Sequence, residues 1–127
     1  GDDPARAAAF KLFGHLIVIA TSAAVADINR LAGAVGISTA DAMNVFSFFN
    51  PGAMISVRAT RVAKGEFAPS FELSMARKDI RLMIDEAQQH GVRLGVMPAI
   101  AAVFDEAIAR GYGAEDFGAT ARLDGRS

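Results

Sequence analysis

At 127 residues the chain is one domain's worth, long enough to bury a core and too short for two. A net charge of −1 and a pI near 6.1 give no electrostatic case for a nucleic acid or an acidic membrane surface as partner. The lack of cysteine excludes disulfides, thiol catalysis and cysteine-ligated metals.

The predicted elements are helical nearly throughout. A first helix spans about residues 5–35, with Asp2 or Asp3 as its cap, Pro4 in its first turn and Gly36 as its stop. Its stretch Phe10–Val25 is the most apolar in the chain, yet its second residue is Lys11, one of only three lysines. The uninterrupted apolar run between His15 and Asp27 contains Thr21 and Ser22 and is shorter than the roughly 18–20 residues that span a bilayer. The expectation is a buried central helix and no membrane partner. A Ser38–Asp41 turn then caps a short helix over about 40–48, and Asn50-Pro51-Gly52 breaks it. A third helix runs to about Lys64, and an irregular link follows from Gly65 to Pro69. Helix four covers about 72–90 and stops at Gly91. Helix five covers about 98–110 and stops at Gly111-Tyr112-Gly113, which reads as a helix end rather than a phosphate loop. A short last helix is expected over 115–122. No period-2 run is long enough for a strand, and no repeat occurs, so the fold class is all-α with one long apolar central helix.

Two helices carry informative polar positions. At roughly 100° per residue, Lys11, His15, Ser22 and Asn29 fall on one stripe of the first helix, which either faces solvent or lines a cleft. On helix four, Ser74, Arg77, Lys78, Arg81, Asp85 and Gln88 share a polar face. Asp79 instead projects inside the apolar arc, between Met75, Leu82 and Met83. A carboxylate buried there costs several kcal/mol unless a donor meets it, so Asp79 is either wet or partnered. His15 and His90 sit on different helices without a carboxylate-rich companion set, and no metal site is expected. Hydrophobic residues make up 52% of the chain and mean hydropathy is +0.28, rich for a small domain standing alone. That excess predicts burial against a second domain or a copy of the same chain, and a homodimer or higher oligomer, because the first helix is apolar nearly all round.

The segment Gly65–Leu82, GEFAPSFELSMARKDIRL, resembles the F-x-P-x-F-x-L…K-D-L segment of the β-hydroxyacid dehydrogenases. This is the family of 3-hydroxyisobutyrate dehydrogenase, tartronate semialdehyde reductase and glyoxylate reductase. Phe67, Pro69, Phe71, Leu73, Lys78 and Asp79 sit in the family's spacing. Phe10–Gly36 is similar to the family's K-L motif and long apolar helix, with Asp27 matching an acidic position. Gly111–Asp116 is similar to its G-x-G-x-x-D. The resemblance covers essentially the whole chain.

The resemblance implies a helical domain like the C-terminal domain of 6-phosphogluconate dehydrogenase, spanning residues 1–127 and serving substrate binding and dimerisation in a two-domain enzyme. The N-terminal Rossmann domain is then outside this chain, since no G-x-G-x-x-G after a strand occurs in it. The first residue is Gly1 rather than Met, and the chain reads as a fragment. Implied too are NAD or NADP, bound mainly by the missing domain, a small hydroxyacid or carbonyl substrate, and a cytoplasmic setting. Lys11 occupies the place of the family's catalytic acid/base. A group there accepts the hydroxyl proton as hydride leaves, and returns it in reduction while stabilising the developing oxyanion. Apolar cover by neighbours such as Phe10 and Leu12 would favour the neutral amine. Phe71, Lys78 and Asp79 match residues that border the nicotinamide end of the cleft or the substrate. The family's G-x-G-x-x-x-K-x-x-x-N reads here as Ala5, Ala7, Lys11 and His15, so His15 stands where an asparagine orients substrate. These departures admit three outcomes: a redirected dehydrogenase, a related reductase acting on an imine or another carbonyl compound, and a non-catalytic dimerisation or ligand-binding domain. The fragment by itself is expected to be inactive.

Overall fold

A computed structural model describes residues 3–124. The order is α1 (Pro4–Ala34), α2 (Thr39–Met43) continuing into a 3₁₀ turn (Asn44–Ser47), α3 (Pro51–Ala63), α4 (Leu73–Gln89), α5 (Met97–Ala109) and a 3₁₀ helix (Phe117–Asp124). The all-α class holds; the only extended pairing among the described residues is an isolated bridge between Glu72 and Asp116.

Local chemistry sets most of the helix ends. The Asp3 carboxylate accepts from the Ala5 N–H at 3.0 Å ahead of Pro4, so Asp3 is the cap, and Asp2 lies outside the described residues. Ser38 accepts from the Asp41 N–H at 3.1 Å to start α2, and Asn50 from the Ala53 N–H at 3.3 Å to start α3. Gly36 adopts a φ of 78°, which lets the Ile37 N–H reach back to the Ala32 carbonyl at 2.8 Å. A side chain at that left-handed position would clash with its own carbonyl. Gly111, with a φ of 92°, ends α5 the same way, by a 3.0 Å bond from the Tyr112 N–H to the Ala107 carbonyl.

The starts of α4 and α5 lack a local side-chain cap, and distant parts of the chain supply one. The first N–H groups of α4 donate to the carbonyls of Glu115 (2.8 Å, from Leu73) and Gly113 (2.9 Å, from Ser74). Those of α5 converge on Asp27 of α1. Helices α4 and α5 pack together, with the 3₁₀ helix against both and the C-terminal part of α1 against α4. The core is small. Leu73, Ala107 and Ala119 are fully buried, with Phe67, Phe104, Tyr112, Phe117 and Leu123 around them.

Helix α1 departs from expectation. It is not a buried central helix: only Asp27, Ala32 and Ala34 of its 31 residues are buried. From Phe10 to Ile19 its large apolar side chains stand open on every side, with Leu16 and Ile19 65% and 68% exposed. By length and composition α1 would suffice to cross a membrane, since the full helix is longer than the uninterrupted run on which the sequence reading relied. The exposed area of 8543 Å² exceeds by about 2,100 Å² the roughly 6,450 Å² expected of a compact chain of this mass. The bare apolar side chains of α1 contribute to that surplus, and contiguous apolar surface of this kind is typical of interaction sites.

Candidate functional site

Two buried carboxylates organise the domain. Asp27, 4% exposed, accepts at one oxygen from the Gly95 N–H (2.6 Å) and the Arg30 guanidinium (2.9 Å). Its other oxygen accepts from the N–H groups of Val96 (2.9 Å) and Met97 (3.0 Å). It therefore caps α5 from α1. Burial pushes this carboxyl up, but the three N–H groups and Arg30 outweigh it and hold the group below the usual carboxylate range. Gly95 belongs to the same device: a Cβ there would lie 2.8 Å from Arg30 Nη1 and 3.3 Å from Asp27 Oδ1.

Asp116, 2% exposed, ties α3 and the segment before α4 to the C-terminal turn. Its Oδ2 accepts from Arg58 Nε (2.8 Å) and the Gly118 N–H (2.8 Å). Its Oδ1 accepts from Arg58 Nη2 (3.1 Å), the Ser70 N–H (3.2 Å) and hydroxyl (3.1 Å), and the Phe71 N–H (3.1 Å). Burial again opposes the charge, and Arg58 with the Gly118 and Phe71 N–H groups overcomes it, holding the carboxyl far below its ordinary range. Among the described residues no buried side-chain polar atom is left without a partner, so neither charge is an uncompensated cost. The Arg58 guanidinium lies 3.8 Å from the Phe117 ring centroid, and Phe117 stacks on Phe71 at 5.4 Å.

The residues singled out from sequence fall into two sets. Lys11 and His15 are exposed, one turn apart on the bare half of α1. Phe71 precedes α4 and keeps 38% of its surface open, while Lys78 and Asp79 lie on α4, both exposed. Lys78 shares a shallow cavity of about 260 Å³ with Ser74, Arg77, Arg81 and Asp105, where Arg77 pairs with Asp105 at 2.7 Å. Asp79 is wet and joins none of the ion pairs among the described residues. Its neighbours Met75 and Leu82 are half exposed, so the apolar arc of α4 is wider than this chain's own core can cover. Helix α1 meets α4 across a groove where Ala24, Ile28 and Leu31 face Met83. Lys11 lies about 20 Å before Ala24 along the helix axis at 1.5 Å per residue. Asn29, on the Lys11 stripe, accepts a 2.7 Å bond from the Thr39 hydroxyl, so that end of the stripe serves the fold.

Sequence reasoning singled out neither Arg58 nor Arg30, and met Asp27 and Asp116 only as matches to a pattern. The available signal was the acidic position itself: an aspartate deep in an apolar helix, or after a glycine-rich turn, needs donors. It does not say which donors.

The sequence profile described as "NAD-binding of NADP-dependent 3-hydroxyisobutyrate dehydrogenase" matches residues 5–123, and the chain belongs to that family. Its fold is similar to that of an imine reductase from Bacillus cereus BAG3X2 (TM-score 0.84, 17% identity, covering 100% of this chain and 46% of that one). It is similar also to a putative oxidoreductase from Pseudomonas putida KT2440 (0.79, 21%, 92% and 41%). A third likeness is to an imine reductase from Myxococcus stipitatus in complex with NADP+ (0.71, 18%, 93% and 43%). The chain spans less than half the length of these structures. No curated protein matches it.

Proposed function

We propose that this chain is the C-terminal substrate and dimerisation domain of a two-domain NAD(P)-dependent dehydrogenase or reductase of small 3-hydroxyacids, with Lys11 as the proton donor and acceptor. The observation that carries the reading is the head of α1. A lysine and a histidine one turn apart stand on a helix whose surrounding apolar surface is bare, so whatever covers the helix also encloses Lys11. A second copy and the companion Rossmann domain are the covers this reading requires. The dinucleotide's pyrophosphate needs a glycine-rich turn between a strand and a helix, and no strand occurs among the described residues. We assign Phe71, Lys78 and Asp79 of this chain to the nicotinamide end of the cofactor.

A bound nicotinamide would supply the hydride acceptor or donor for the hydroxyl-bearing carbon. Lys11 Nζ takes the hydroxyl proton in oxidation, so loss of H⁻ and H⁺ leaves a carbonyl. In reduction the ammonium returns the proton to the alkoxide oxygen and stabilises its charge beforehand. His15 hydrogen-bonds the substrate's hydroxyl or carboxylate. In the full-length protein, Lys11→Ala is expected to lower turnover by about 10²–10⁴-fold with cofactor affinity nearly unchanged. Near-normal turnover in that variant would sink the reading.

A second reading is favoured by His15 in place of an asparagine and by the imine reductases among the structural neighbours. In it the hydride would go to the C=N carbon and the imine nitrogen would take the proton from the Lys11 ammonium, giving the amine. Paired assays of a hydroxyacid with oxidised cofactor and a cyclic imine with reduced cofactor separate the two.

A further inference from the structure

The Phe71 backbone and ring are fixed more tightly than an exposed aromatic in a linker requires. Its N–H donates to Asp116 at 3.1 Å, its carbonyl accepts from the Phe117 N–H at 3.0 Å, and its ring stacks on Phe117 at an interplanar angle of 25°. Phe117 is held in turn by the Arg58 guanidinium at 3.8 Å and, edge-on, by Phe104 at 6.1 Å. Arg58 also binds both oxygens of Asp116 and the Ser70 hydroxyl. One arginine on α3 thus grips the backbone of residues 70–71 through Asp116 and the ring of Phe71 through Phe117. The remaining open part of the Phe71 ring is presented in a set position.

Resting on the reading above, we propose that Arg58, Asp116 and Phe117 are positioning residues for hydride transfer, holding Phe71 as a rigid wall against the planar nicotinamide. An aromatic whose place is fixed before binding holds the cofactor ring near its reactive geometry, whereas a loose one leaves that ordering to each turnover. The shallow cavity lined by Ala53, Met54, Val57, Arg58, Arg61 and Ser70 leaves room beside Arg58, so a shorter side chain can be tolerated there.

The test uses the full-length protein carrying Arg58→Gln, Arg58→Lys or Phe117→Leu, with a cofactor deuterated at the transferred hydride. Mispositioning is expected to lower kcat about tenfold per correctly folded active site, leave KM for cofactor within about twofold, because most cofactor contacts belong to the other domain, and enlarge the primary isotope effect. Arg58→Lys, which keeps the charge but not the fork, is expected to recover part of the loss. A purely structural role lowers the folded fraction and leaves the isotope effect alone, and that outcome overturns the proposal. So does an unchanged kcat in folded Arg58→Gln or folded Phe117→Leu. If Arg58→Gln does not fold, Phe117→Leu carries the test. Lys11→Ala, run alongside, separates the two levels. An active Lys11→Ala removes the reading of the domain, while an inactive one beside a fully active Arg58→Gln removes only this inference.

Discussion

Replacing Asp27 by asparagine tests whether a carboxylate on one helix is what starts another. Two donors meet each oxygen of Asp27. An asparagine keeps one oxygen and turns an NH2 group toward the other pair, so two donors lose their acceptor whichever way the amide is set. Hydrogen bonds to a charged group contribute about 1.5–3 kcal/mol each, and losing a helix cap costs about 0.5–2 kcal/mol. These overlap, and a loss of about 3 kcal/mol is expected, a large share of the roughly 5–15 kcal/mol available to a domain. At about 4 °C per kcal/mol for this size, Tm falls by about 12 °C. The sign of the pH dependence follows from a folded pKa held below the ordinary 3.8. The stabilisation is complete above 3.8 and is lost as pH falls through the folded value. Melts from pH 7 to the lowest pH at which both proteins fold should show a constant gap down to about pH 4 and a narrowing one below. Asp116 titrates in both proteins and cancels. A gap under about 3 °C at pH 7, or one that does not narrow in acid, refutes the argument.

Gly118→Ala places a Cβ 3.0 Å from Asp116 Oδ2, 3.2 Å from Arg58 Cγ and 3.3 Å from Val62 Cγ2. It should cost about 1–3 kcal/mol by overpacking, read by denaturant unfolding. Gly33→Ala meets nothing within 4 Å inside α1 and should instead stabilise by about 0.5–1 kcal/mol; equal effects at the two sites would contradict the packing. Leu16→Glu, on the bare part of α1, should shift the full-length protein toward monomer in sedimentation velocity while leaving the melting of α4 and α5 unchanged.

The helices were legible because most of their ends are local events. Asp3-Pro4, Ser38, Asn50-Pro51 and the glycine stops each act within a turn of themselves, and predicted limits fall within one or two residues of those observed for α1, α3, α4 and α5. Where the second and last helices narrow into 3₁₀ turns, nothing in the local pattern distinguished the tighter winding. The long-range parts were not legible. Asp27 reaches residues 95–97 and Asp116 reaches residues 58, 70 and 71, separations that no period in the sequence encodes. Asp79 shows the opposite failure. An apolar arc on paper implied burial, but Met75 and Leu82 remain half open, so pattern reported which face wants cover without saying whether this chain provides it.

The same distinction applies to α1. Its composition fits a bilayer as well as a protein, and its end is what separates them. From Asp27 to Ala34 the helix is built into the domain, with Asp27 capping α5 and Asn29 bonded to Thr39. That leaves residues 4–22 largely free, and Lys11 sits about 10 Å inside the free end at 1.5 Å per residue. A lipid cover would place an ammonium within the hydrocarbon, or make it snorkel out, with no use for it there. A protein cover gives the lysine and His15 a polar cleft within apolar walls, the setting that proton transfer to a substrate oxygen requires. On the proposed reading, the Lys11 and His15 end of the polar stripe would line a cleft whose other walls come from beyond this chain, while its Asn29 end is bonded to Thr39.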